Sequence, residues 1–150
     1  MDTLLKIAVI SDTHNHVPNS LLDLLIEANE IWHLGDVCSP TVLSSIEALD
    51  KPLTVVEGNM DPHGLWPDTR VLERQGLRFK LQHLPPRSVS EEVDAVLFGH
   101  LHCPSQENRG GTRILNPGAI TGPRQGSKSC FSWLTIYADK SWSWDVTPVE

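Results

Sequence analysis

The feature that most constrains this sequence is a rhythm: short apolar, β-branched runs recur along the chain, and each one stops at an acidic, amide or histidine residue. Lys6 to Ser11 (KIAVIS) reads as a buried strand that ends at Asp12. Glu30 to Leu34 reads as a second strand leading into Gly35 and Asp36, and Leu53 to Glu57 as a third stopping at Gly58 and Asn59. Between them lie helical patterns. Asn19 or Ser20 is placed to cap a helix with the apolar stripe Leu21, Leu22, Leu25 and Ile26, and Ser39 and Pro40 to start one with Val42, Leu43, Ile46 and Leu49. Strands alternating with helices at this spacing predict βαβ units and a parallel or mixed sheet buried on both faces.

The second half reads mostly as strands. Arg70 to Arg74 and Leu77 to Leu81 flank Gln75 and Gly76 as a hairpin, and Asp94 to Phe98 is another apolar strand. Arg113 to Leu115 runs into the turn Asn116, Pro117, Gly118; Ser132 to Ala138 and Trp142 to Val146 form a last hairpin around Asp139 and Lys140. Trp142 and Trp144 alternate with polar residues and are expected to pack between sheets. With 150 residues and no linker or repeat, the expectation is one globular domain over residues 1–150.

Composition then narrows the function. A formal charge of -7 disfavours broad binding to nucleic acid or anionic membrane, and no stretch approaches the ~20 apolar residues that cross a bilayer. Cys38, Cys103 and Cys130 are odd in number and widely spaced, which suits reduced thiols in a cytoplasmic protein. Any phosphate-bearing substrate would have to be attracted by something strongly positive and local. Asp12, His14, Asp36, Asn59, His83, His100 and His102 all fall at strand ends, and in an α/β sheet these ends share one rim. Side chains two apart in an extended segment point the same way, so Asp12 with His14, and His100 with His102, are each expected to aim at one pocket. Seven mixed donors exceed the need of one tetrahedral ion and match two ions sharing a carboxylate.

These blocks resemble the calcineurin-like metallophosphoesterases, and within them the small YfcE-like phosphodiesterase branch. They occur in family order as SDTH (Ser11 to His14), HLGDV (His33 to Val37), GNMD (Gly58 to Asp61), QH (Gln82, His83), GHLH (Gly99 to His102) and NPGA (Asn116 to Ala119). The resemblance implies an α/β four-layer αββα sandwich, the metallo-dependent phosphatase fold. It implies that Asp12, His14 and His102 bind one metal, that Asn59, His83 and His100 bind a second, and that Asp36 bridges them. A hydroxide between the ions would attack phosphorus, with Asn59 also touching a phosphate oxygen. Mn²⁺ is the expected metal, with Fe, Zn²⁺, Ni²⁺ and Mg²⁺ as alternatives.

Around this core, Asp61 is expected to fasten its own loop or orient a ligand, and His33 to support the Asp36 loop. Asn116 reads as a tight-turn residue that the family places near the metals and the substrate. Arg124 reads as solvated, with contact to substrate phosphate the sharper alternative. His16 and His63 are given no role, and Cys103 is read as packing.

Three departures from the family pattern matter. Met60 stands where the protein-phosphatase branch has a histidine able to protonate the leaving group, which predicts a preference for diesters or aryl esters. His83 is followed by Leu84, Pro85 and Pro86 instead of Gly and His. The segment from His83 to Asp94 has room only for one turn, with Ser88 and Glu91 as a capping box, so a family helix is trimmed and one cleft wall is left open or completed by a second copy. The expected partner is a small phosphate ester. Two other functions stay open: a binding scaffold, because the superfamily includes a retromer subunit, and hydrolysis of phosphomonoesters or dinucleoside polyphosphates.

Overall fold

The computed structural model describes residues 2–89, 92–121 and 128–149. Two five-stranded sheets face each other. The first has the order β10-β9-β1-β2-β3, where β1 is Thr3–Ile10, β2 Glu30–His33, β3 Leu53–Val55, β9 Cys130–Tyr137 and β10 Trp142–Pro148. The second has the order β4-β5-β6-β8-β7, built from β4 (Thr69–Arg74), β5 (Leu77–Gln82), β6 (Ala95–Leu97), β7 (Ser105–Arg109) and β8 (Thr112–Asn116). β1, β2 and β3 run parallel to one another, as do β5, β6 and β8, so each sheet presents three carboxyl ends along one rim.

The uninterrupted apolar run of β1 follows from its two buried faces. Ile7 and Val9 enter the core between the sheets with Trp32, Phe79, Leu81, Leu97, Leu134 and Trp144. Ala8 and Ile10 point the other way, into the layer formed with Leu21, Leu25, Leu43, Ile46 and Phe131. Both hairpin tryptophans do pack toward the second sheet: Trp144 is 6% exposed, and Trp142 meets Phe79 edge-on at 5.3 Å. Across the sheets, Arg74 makes a two-pronged contact with the buried Glu30 carboxylate at 2.9 and 3.0 Å, and that carboxylate also accepts the Trp32 indole N–H.

Among the described residues, helices cover the outer face of the first sheet only. α1 spans Asn19–Leu25, and neither Asn19 nor Ser20 caps it: the Pro18 carbonyl accepts the N–H of Leu21 and Leu22 instead. The second expected helix is split. Pro40–Leu43 is a 3₁₀ turn preceded by Ser39, which makes no side-chain cap, and it continues as the short α2, Ser44–Glu47. The described residues contain no helix over the outer face of the second sheet. Val93, Val96, Phe98 and Ile114 form a small cluster there, with Val89 against it. Pro85 and Pro86, which lack N–H donors, open this segment, and the expected Ser88–Glu91 capping box falls partly outside the described residues. The two-sheet sandwich is thus as expected, with its fourth layer reduced to a loop.

Strand β7 is absent from the sequence reading because SQENR is polar on both faces and exposed throughout; it is held only as an edge by β8. Among the described residues no helix is long and apolar enough to cross a membrane.

Candidate metal centre

The seven expected donors lie on the shared rim. Asp12 follows β1, Asp36 follows β2, Asn59 follows β3, His83 follows β5, and His100 and His102 follow β6. The loops are stitched together by backbone bonds: Asp12 N–H donates to Gly35 O, His14 N–H to Asp36 O, and Gly99 N–H to His83 O. Two glycines are required by this closeness. A side chain at Gly58 would run into Asp36, and one at Gly99 into Ser11 and Asp12.

The donors form two groups, each with its ligand atoms within 4.8 Å of one another: Asp12, His14, His102, and Asp36, His83, His100. The expectation of extended segments fails here. Asp12, His14, Asp36, His100 and His102 all have left-handed backbone, with φ of 55, 44, 61, 71 and 57°. Because single left-handed residues redirect the chain, His100 and His102 diverge, and each joins a different group.

Hydrogen bonding divides each carboxylate into a tethered and an offered oxygen. Asp12 Oδ2 accepts Ser11 Oγ–H at 2.6 Å and His100 N–H at 3.1 Å. Asp12 Oδ1 has no hydrogen-bond partner and lies 3.3 Å from His102 Nε2 and 3.7 Å from His14 Nε2. Asp36 Oδ1 accepts Met60 N–H, whereas Oδ2 stands 3.4 Å from His14 Nε2 and 3.3 Å from His83 Nε2, between the two groups. Burial alone would raise the Asp36 carboxyl. The His83 side chain, the Met60 N–H and His14 outweigh it and hold the pKa at about 2. His83 donates from Nδ1 to Leu34 O at 2.8 Å, which leaves Nε2 facing the centre. Burial lowers the His83 pKa, but Asp36, Asp12 and that carbonyl together raise it.

The donor set fits divalent cations. Of four buried side-chain polar atoms without a partner among the described residues, three converge here: Asp12 Oδ1, His14 Nε2 and His83 Nε2. Orphaned buried donors and acceptors are rare, and a cation accounts for all three. Asn59 is exposed, with its Oδ1 3.2 Å from His100 Nδ1.

Supporting residues surround this centre. Asp61 accepts three backbone N–H groups: Asp36 and Gly58 on Oδ2, at 2.9 and 2.7 Å, and Cys38 on Oδ1 at 2.8 Å. One carboxylate thus ties the β2 and β3 loops together. His33 accepts Gly35 N–H on Nδ1, so its Nε2 carries the proton and donates to Thr13 Oγ1 at 3.0 Å. Complete burial, reinforced by His83, lowers its pKa to about 3. Thr13, enclosed between Asp12 and His14, carried no signal of its own in the sequence.

Asn116 is the last residue of β8. It is fully buried, its amide N–H donates to Gly99 O and its oxygen accepts Gly118 N–H, so both ends are engaged in holding the His100 loop and the following turn. Arg124 lies outside the described residues. Cys38, given no part in the site by the sequence, places Sγ 3.6 Å from His14 Nδ1; burial, Asp36, Asp61 and Asp12 raise its pKa and keep it a thiol.

A family model for the calcineurin-like phosphoesterase superfamily domain matches residues 5–139. This chain belongs to that superfamily. It is 34% identical over 136 residues to a probable metallophosphoesterase of Methanothermobacter thermautotrophicus, covering 79% of this chain and 78% of that one. The structure of YfcE, a phosphoesterase from E. coli, superposes with a TM-score of 0.77 at 20% identity over 97% of this chain and 100% of that chain. Vacuolar protein sorting 29 from Cryptosporidium parvum shares the fold, with a TM-score of 0.74 at 17% identity over 97% and 98% of the two chains.

Proposed function

We propose that this chain is a dinuclear-metal-dependent phosphodiesterase, with Asp12, His14 and His102 holding one cation, Asn59, His83 and His100 the other, and Asp36 shared. The convergence of the partnerless Asp12 Oδ1, His14 Nε2 and His83 Nε2 carries this reading. The position of Asp36 Oδ2 between His14 and His83 supports its bridging role. When bound, two divalent cations supply an acidified water as nucleophile and positive charge for the phosphoryl oxygens. Imidazole and carboxylate donors suit Mn²⁺ best, with Fe or Zn²⁺ as alternatives.

The protein's own groups do the rest. Tethering one oxygen of each aspartate fixes the direction of the other, and Leu34 O fixes the His83 tautomer with Nε2 outward. The exposed Asn59 amide contacts a phosphate oxygen. Met60 is 59% exposed on the rim and has no proton to give, so the enzyme favours diesters or aryl esters with good leaving groups. Three free cysteines fit a cytoplasmic setting.

Metal-stripped protein should not hydrolyse bis(p-nitrophenyl) phosphate until Mn²⁺ is added, and Asp36→Asn should lose at least ~100-fold in rate. Folded protein inert with every divalent metal would favour the scaffold reading suggested by the shared fold of vacuolar protein sorting 29. The intact donor set and the packed Trp142 and Trp144 weigh against that reading.

A further inference from the structure

A cavity of about 380 Å³ opens directly off the second metal group, sharing His83 and Asn59 as one wall. That is within the size range of small-molecule pockets. His83 is 2% exposed and stands between the cavity and the metal group, with Nε2 facing the metal group, so whatever enters the cavity lies next to that group. The remaining wall has a definite chemical character. Glu57 and Asp68 contribute carboxyl groups, Gln82 an amide, and Leu84 an apolar side chain that is 51% exposed. None of the described lining residues is Lys or Arg.

The carboxyl groups are adjacent, with Asp68 in hydrogen-bonding reach of Glu57. Gly64 N–H donates to Glu57 Oε1 at 2.7 Å and fixes that oxygen in place. His63 Nδ1 lies 3.4 Å from Glu57 Oε2 on a side chain that is 97% exposed. The Gln82 amide donates to Leu84 O, which fixes the cavity's edge. The two groups of donors that could hold a metal among the described residues include neither Glu57 nor Asp68.

A phosphodiester bound at the cations carries two organic arms. An arm entering this cavity meets apolar surface from Leu84 and negative charge from Glu57 and Asp68. Further phosphates on that arm would be repelled at short range, whereas an ammonium group would be attracted. We propose that this cavity is the subsite for one ester arm and that it selects phosphodiesters of amino or quaternary-ammonium alcohols over those whose arm is itself phosphorylated. The inference rests on the phosphodiesterase reading and gives it a substrate class.

The test uses the Mn²⁺-loaded enzyme and p-nitrophenyl phosphodiesters that differ in one arm: choline, its uncharged carbon isostere 3,3-dimethylbutanol, and phosphoethanol. The readout is the ratio of kcat/KM values. Choline over isostere should be about tenfold, phosphoethanol should be the poorest, and the choline preference should collapse toward one in Glu57→Gln and Asp68→Asn. Glu57→Gln keeps an acceptor for Gly64 N–H, and Asp68 is exposed, so both should fold; Asp68→Lys should reverse the order of choline and phosphoethanol. Equal kcat/KM for choline and isostere, or a preference unchanged in all three variants, overturns the subsite while leaving the phosphodiesterase standing. Failure to hydrolyse bis(p-nitrophenyl) phosphate with any metal overturns both.

Discussion

The two metal groups are built from similar donors but differ in how those donors are held. In the Asp36 group, His83 is buried and its Nδ1 is spent on a backbone carbonyl, while the Asp36 backbone is pinned by Asp61. In the Asp12 group, the His14 side chain is 30% exposed and, among the described residues, its Nδ1 meets a thiol at 3.6 Å. A carbonyl is a strong acceptor with a fixed direction; a sulfur is a weak one. The same metal-ligating chemistry is therefore rigid on one side and adjustable on the other. Rigidity sits beside the acidic cavity, the proposed place of an ester arm.

The largest effect that would test this contrast comes from Asp61. Alanine there strands three backbone N–H groups, so Asp61→Ala should cost about 2–4 kcal/mol of stability and ~10–100-fold in metal affinity. Urea denaturation of the metal-free protein and Mn²⁺ titration measure the two. If neither moves, the Asp36 loop has another anchor and the contrast fails.

A second test concerns the support beneath both groups, His33. Its folded pKa of about 3 lies below the ordinary 6.5, so the folded state keeps it neutral while the unfolded chain takes up a proton. Its contribution is complete above pH 6.5 and is lost as pH falls toward 3, by roughly 1.4 kcal/mol per pH unit. His83, raised by its neighbours, has the opposite sign: its contribution is complete below 6.5 and fades as pH rises through its folded value. Asp36 adds its own loss only below its ordinary 3.8. Metal-free protein should therefore lose stability between pH 6.5 and 4.5, and His33→Gln should flatten that slope by about one proton. An unchanged slope would mean that His33 is protonated in the fold.

The smallest effect is expected at Cys38. Cys38→Ala should weaken one of the two Mn²⁺ sites by less than ~10-fold, because the thiol is only a weak partner for His14. Calorimetric titration resolving two sites would show it. A loss near 100-fold would make the first group as dependent on its support as the second.

Much of this architecture was legible in the chain because strand ends and chemistry coincide. Asp12, Asp36, Asn59, His83 and His100 each follow an apolar run, and periodicity alone finds those runs. Strand β7 was not legible, since Ser105 to Arg109 buries nothing and pairs only through backbone. The division of His100 and His102 between groups follows the family resemblance but not their spacing, for a different reason: pattern reading assumes extended backbone, and left-handed φ leaves no mark when the residue is not glycine. The acidic cavity was invisible because Glu57, Asp68 and Gln82 come from two sheets and mean nothing until those sheets are stacked.

Those left-handed donors also bear on how such a fold changes over time. Five non-glycine residues sit in a conformation that disfavours side chains by roughly 1 kcal/mol each, and they surround charges that repel or lack partners until a cation arrives. Without the cation, replacing any of them with glycine or asparagine relaxes the backbone. Stability and catalysis thus pull in opposite directions at the same positions. A descendant released from chemistry would shed its ligands and gain robustness, keeping the sandwich as a platform.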